Sequence, residues 1–186
     1  NIFDNLVGID GVTSDYVDLF AGRDDLLKEL ERFLVAPDQD FFLITGGAGL
    51  GKTALMANLV HKHSGSLAYH FFTTHAPSSL KQDDFLKILL QQIGPWYGVL
   101  DATAGDEQER WTRYLEFLKL PLKTMHIIVL DGLDEVTWDL KPYFDRPLSK
   151  GLHFIMTARE EEALGVNCAD VYGLPAGKVR TMRLAG

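Results

Sequence analysis

The sequence holds a single cysteine, Cys168. One thiol permits neither an intramolecular disulfide nor a cysteine-based zinc site, which predicts a reducing, cytoplasmic setting in which Cys168 is a small apolar residue. Basic residues are also scarce: 18 Lys and Arg stand against 26 Asp and Glu, a formal net charge of -8, and no run of Lys or Arg interrupts the mixture. That balance argues against nucleic acid or an anionic membrane as the main partner, because both are bound largely through basic surface. Long apolar runs are missing as well. Stretches such as Ile127 to Leu130 fall far short of the roughly 20 residues that span a bilayer, and the first residues lack the pattern of a signal peptide. There is no internal repeat or low-complexity tract. The chain opens on Asn1 rather than methionine, which predicts a fragment or processed product of a larger protein.

What is present suits one globular domain: 186 residues, 46% of them hydrophobic. Residues 1–19 mix Gly, Asp, Ser and Thr with isolated apolar residues and read as a linker or an extended segment laid on the domain, which occupies 20–186. From Arg23 to Val35, Leu26, Leu27, Leu30, Phe33 and Leu34 recur on one helical face, and Pro37 ends the element. Phe41 to Thr45 is short and apolar, as expected of a strand buried on both faces of a parallel sheet. A helix from Gly51 to about His63 follows, then a strand over Leu67 to Thr73. Ser79 with Gln82 predicts a capping box ahead of a helix whose Phe85, Leu86, Leu89 and Ile93 share a face, closed by Gly94-Pro95. Another helix is expected from about Asp106 to Leu120, with Trp111, Tyr114, Leu115 and Leu118 on one side. Met125 to Leu130, Leu152 to Ala158 and Val179 to Leu184 supply three further strands. Strands alternating with helices predict an α/β fold, a mostly parallel five-stranded sheet covered on both faces.

The chemistry starts at GGAGLGKTAL, Gly46 to Leu55, placed where a strand meets a helix. Gly46, four residues, then Gly51, Lys52 and Thr53 make the P-loop spacing. Its glycines let backbone N–H groups close around a phosphate chain, and the following helix adds the positive end of its dipole. Gly46, Gly47, Ala48, Gly49, Leu50, Gly51, Lys52, Thr53 and Ala54 are therefore the candidate nucleotide cradle, with Lys52 reaching the β- and γ-phosphates and the Thr53 hydroxyl ligating Mg2+. In HIIVLDGLDE, Asp131 follows four apolar residues and falls at the carboxyl end of a buried strand, where ligands bind in open parallel sheets. It is the candidate metal anchor, and either Asp134 or Glu135 could polarise an attacking water. GLHFIMTARE ends a further strand at Thr157, Ala158 and Arg159. Arg159 could register a γ-phosphate by charge, or be no more than a surface cap.

FAGRDDLLKELERFL (Phe20 to Leu34), GGAGLGKTAL, LAYHFF (Leu67 to Phe72), IIVLDGLDE and FIMTARE, in that order and spacing, resemble the nucleotide-binding domain of STAND signalling ATPases, and the DGLDE form is most similar to the NACHT branch. The resemblance covers nearly the whole chain from Phe20 to about Leu184. It implies the P-loop NTPase three-layer sandwich of AAA+/STAND-like proteins and a regulated ATP/ADP switch with slow magnesium-dependent hydrolysis. It also implies that Gly22 and Arg23 lie against adenine, and that Lys52, Asp134, Glu135 and Arg159 carry turnover and γ-phosphate sensing. Flanking effector and repeat-sensor domains, homo-oligomerisation in the ATP state, and defence or cell-death signalling are further implications. The helical and winged-helix regions of such relatives have no room after Leu184, and Gly173-Leu174-Pro175 reads as a turn. His70 reads as a strand residue.

Other readings use the same P-loop. A small-molecule kinase would need an acceptor pocket and an arginine-rich lid, and the sequence shows no such lid. A DNA-dependent AAA+ ATPase sits poorly with the acidic charge and the DGLDE form. A scaffold that retains nucleotide without turnover is disfavoured by the intact acids after Asp131.

Overall fold

The computed structural model describes residues 24–36, 38–46, 56, 60–61, 65–159 and 168–184. Five strands form one sheet: β1 (Phe41–Gly46), β2 (Leu67–Phe71), β3 (His126–Asp131), β4 (Leu152–Arg159) and β5 (Val179–Arg183). Their order is β2-β3-β4-β1-β5, and each of the four pairings is parallel. All five expected strands are present. β1 and the last five residues of β3 are fully buried because helices cover both faces, which is why their sequences are continuous apolar runs instead of alternating ones.

The two faces have separate cores, assigned by strand parity. Phe41 and Leu43 of β1, Ile128 and Leu130 of β3, and Phe154 and Met156 of β4 point to one side. Phe42, Ile44, Ile127, Val129 and Ile155 point to the other. The second face is closed by α1 (Asp24–Val35), whose Leu26, Leu30 and Phe33 are each at most 2% exposed; Phe33 meets Phe42 edge to face at 5.2 Å. The helical residues Met56 and Val60 pack on that side too. The first face is closed by α2 (Gln82–Ile93), α3 (Glu107–Lys119) and the short α4 (Lys141–Phe144). Burying one such Leu, Ile or Phe is worth about 1.5–3 kcal/mol, so this double cover outweighs any single polar contact. A short helix, α5 (Cys168–Val171), and the turn at Gly173 precede β5.

Local signals were met unevenly. Phe85, Leu86, Leu89 and Ile93 share the buried face of α2, as the spacing predicts, but the capping box expected from Ser79 and Gln82 does not form. Ser79 lies in a 3-10 turn, Pro77–Leu80, where its hydroxyl donates to the Thr73 carbonyl and accepts from the Thr73 N–H. α2 begins instead after Lys81 with no side-chain cap, and Asp83 and Asp84 face its dipole. The reciprocal cap belongs to α3, where Asp106 accepts from the Glu109 N–H at 2.8 Å. Gly94-Pro95 closes α2 at Ile93, as expected. A 3-10 turn continues through Tyr97, and Gly98, at φ 74°, ends it.

His70 is a structural strand residue. It is 5% exposed between Phe72 and Phe85, and its Nε2–H donates to the Ser79 carbonyl at 2.8 Å. Burial lowers its pKa from 6.5, with the Ser79 carbonyl opposing. A base whose folded pKa is depressed takes up a proton on unfolding, so the stability tied to the neutral ring is intact above 6.5 and is lost as pH falls below it. Thermal unfolding followed between about pH 7 and 5 should show falling stability, and His70→Gln, which has no charge to gain, should flatten the slope. An equal slope in wild type and variant would place the sensitivity elsewhere.

Candidate functional site

The parallel register brings three strand ends side by side. β4 is inserted between β1 and β3, so Gly46, Arg159 and the end of β3 at Asp131 lie along one carboxyl edge, with Gly46 directly opposite Arg159. Open parallel sheets bind ligands along this edge, because the loops diverge there and leave a crevice. Gly46, Asp131, Asp134, Glu135 and Arg159 are thus drawn from sequence-distant segments to one region. Gly22, Arg23, Gly47, Ala48, Gly49, Leu50, Gly51, Lys52, Thr53 and Ala54 lie outside the described residues.

Asp131 is 7% exposed, and its backbone carbonyl accepts the Phe72 N–H at 2.9 Å, which fixes the main chain against the end of β2. Its Oδ1 accepts the Thr157 hydroxyl at 2.5 Å, and the same hydroxyl oxygen accepts the Gly132 N–H at 3.0 Å. Thr157, itself 1% exposed, therefore orients the carboxylate and ties β4 to β3. From the sequence alone, Thr157 is expected only as a strand residue. The signal for more was a lone hydroxyl in an otherwise apolar strand, flanked by Met156 and Ala158, since a buried hydroxyl needs a partner.

After Asp131 the chain must turn sharply. Gly132 does so at φ 84°, and a Cβ there would stand 2.6 Å from the Phe72 carbonyl oxygen, so the position requires glycine on both counts. The 3-10 turn Leu133–Glu135 follows, with Leu133 buried at 1% as its anchor. Anchoring Leu133 leaves the next two residues at the rim. Asp134 accepts the Arg159 backbone N–H at 2.8 Å, while the Arg159 guanidinium lies 3.8 Å from Asp134 and 3.9 Å from Glu135.

The donor chemistry fits a hard divalent cation. Asp131 offers a buried carboxylate at the crevice, and Mg2+ takes one or two carboxylates together with phosphate oxygens and water instead of an all-protein cage. No group of three His, Cys, Asp or Glu side chains with metal-site geometry occurs among the described residues. Two clefts among those residues lie away from this edge. One of about 330 Å³ sits between α1 and β5, lined by Lys28, Arg32 and Arg180, and one of about 550 Å³ sits beside Trp111 and Tyr143.

The family model described as Nephrocystin 3, N-terminal, matches residues 27–159, from within α1 to the last residue of β4. No curated protein matches the chain. Among solved structures, Cdc6p from Pyrobaculum aerophilum is similar with a TM-score of 0.56 and 14% sequence identity, over 89% of this chain and 45% of that one. The chain thus spans less than half of that protein, and a likeness at this identity concerns the fold alone. The architecture is that of a P-loop NTPase sandwich, as the resemblance implies, and the alternation of strands and helices predicts its parallel sheet covered on both faces.

Replacing Thr157 by Val keeps the shape and removes the hydroxyl, leaving the Gly132 N–H and Asp131 Oδ1 without that partner. Thr157→Val should destabilise the protein by about 1–3 kcal/mol in urea unfolding, and Thr157→Ser by less. Equal stability of the Val variant and the wild type would remove the hydroxyl from its role.

Proposed function

The chain belongs to the Nephrocystin 3, N-terminal, family, and from that premise we propose that it is an ATP/ADP-binding switch of the STAND class, NACHT-like, with slow magnesium-dependent ATPase activity. The observation that carries this reading is the alignment of Gly46, Asp131 and Arg159 on one edge of the sheet, each ending the strand that precedes a different functional segment. A P-loop starting at Gly46 would deliver phosphates to the edge that carries Asp131 and Arg159.

Lys52 would neutralise the β- and γ-phosphates, and Thr53 and Asp131 would hold magnesium. Bound with the nucleotide, that ion offsets the charge developing on phosphate oxygens during transfer to water. Glu135 is the better candidate to take the proton of the attacking water. Asp134 already accepts the Arg159 backbone N–H and so serves position, whereas no backbone bond occupies the Glu135 carboxylate among the described contacts. Gly22 and Arg23 would lie against adenine.

In the whole protein we place this domain between an effector module and a repeat sensor, in the cytoplasm, forming homo-oligomers with ATP in signalling of the defence or cell-death type. No described helix is long and apolar enough to cross a membrane. A second reading, an AAA+-like ATPase stimulated by DNA, is compatible with the fold, while the net charge of -8 weighs against it.

Calorimetry and phosphate release test these roles together. Lys52→Ala should weaken ADP and ATP binding by about 1.5–3 kcal/mol, the scale of a charge-assisted hydrogen bond. Glu135→Gln should bind ATP yet release no phosphate, and DNA should leave the wild-type rate unchanged. Unaltered affinity in Lys52→Ala would sink the P-loop assignment, and stimulation by DNA would favour the second reading.

A further inference from the structure

Asp131 reaches the crevice with its main chain already held: its carbonyl accepts the Phe72 N–H at 2.9 Å, and β3 lies paired between β2 and β4. Where its carboxylate oxygens lie is then set by two side-chain torsions, and Thr157 restrains them from the neighbouring strand. The direction of that restraint is fixed as well. Thr157 Oγ1 accepts the Gly132 N–H at 3.0 Å, so its single hydrogen is the one that meets Asp131 Oδ1 at 2.5 Å. The threonine is β-branched and 1% exposed, which leaves the hydroxyl few rotamers to turn through and no water to turn to.

We propose that Thr157 is a positioning residue that makes the Asp131 site selective for Mg2+ over Ca2+. This rests on the reading of the carboxyl edge as a nucleotide site, and it names what sets the choice of ion there. Mg2+ demands near-ideal octahedral geometry at about 2.0–2.1 Å, whereas Ca2+ takes about six to eight oxygens at about 2.3–2.6 Å in flexible geometry. A carboxylate pinned in one orientation therefore favours the smaller ion. Released to rotate, it serves the larger ion as well as before and the smaller one poorly. Hydrogen-bonding partners behind a metal ligand are worth about 10–100-fold in metal affinity. Thr157, buried behind the crevice, acts on the ion through Asp131.

The test is calorimetry of ADP binding to the full chain with Mg2+, with Ca2+ and with EDTA, the last giving the affinity that the phosphate contacts supply without an ion. In Thr157→Val the affinity gained from Mg2+ should fall about tenfold, while the gain from Ca2+ and the metal-free affinity change little. Thr157→Ser keeps the hydroxyl and should retain the wild-type preference. Thr157→Cys, whose S–H is a weak donor, should fall between the two, and it takes the place of the Val variant should a thermal melt show that one unfolded. A general loosening of β4 would weaken binding with both ions alike. An equal fall with Mg2+ and Ca2+, or no fall with Mg2+, therefore overturns the inference and leaves the nucleotide reading standing. So does a wild type that gains no more from Mg2+ than from Ca2+. A wild type that binds no ADP under any of the three conditions removes the nucleotide reading itself, and the inference with it.

Discussion

One buried hydroxyl holds the functional edge together. Thr157 donates to Asp131 and accepts from Gly132, and through these two bonds the end of β4 fixes both the carboxylate and the turn that follows it. The hydroxyl of a residue only 1% exposed that makes both bonds is satisfied without water, and neither Val nor Ala could replace it at equal cost. Everything beyond it, the positive φ of Gly132, the seating of Leu133 and the projection of Asp134 and Glu135, starts from a backbone held there.

That link is possible only because β4 lies between β1 and β3. A sheet ordered by sequence would put β4 outside β3, away from the glycine-rich segment. Inserting it places Arg159 opposite Gly46 on one side and Thr157 within reach of Asp131 on the other. The topology thus converts three separate strand ends into one edge, and the two hydrophobic faces keep the register. A one-residue slip of β4 would exchange Phe154 and Met156 for Ile155 and expose the wrong parity to each core.

The sheet was legible in the sequence because double burial leaves an unambiguous trace, an apolar run such as Phe41 to Ile44 or Ile127 to Leu130 bounded by polar turns. Helix faces were legible for the same reason, as Phe85, Leu86 and Leu89 show. The start of α2 was not. Ser79 and Gln82 have the right spacing for a cap, but the Ser79 hydroxyl finds both a donor and an acceptor on Thr73, and a tertiary pair of bonds outcompetes a local one. At the site, Asp131, Asp134, Glu135 and Arg159 were legible as residue types at strand ends. The partnership of Thr157 with Asp131, and of Asp134 with the Arg159 backbone, joins residues 26 and 25 positions apart, and no local pattern encodes such a contact.

The edge divides into a buried half and an exposed half. On the β3 side, Asp131 is clamped by Phe72 through the backbone, and Phe72 belongs to an aromatic cluster with His70, Phe85 and Trp138 whose ring centroids lie 4.6 to 6.1 Å apart. Trp138 is fixed in turn by its indole N–H on the Leu80 carbonyl at 2.8 Å. Shifting Asp131 would mean disturbing close-packed rings, which cores resist. On the β4 side, the Arg159 side chain extends past the last buried residue, Ala158, and is more than half exposed, with ion-pair contacts to Asp134 and Glu135 at 3.8 and 3.9 Å. The Asp131 carboxylate, oriented by Thr157, sits in the packed half. The Arg159 guanidinium sits in the exposed half. The same strand, β4, supplies both the Thr157 clamp and the Arg159 arm two residues later, so the placement of the arm is inherited from the rigidity of the clamp.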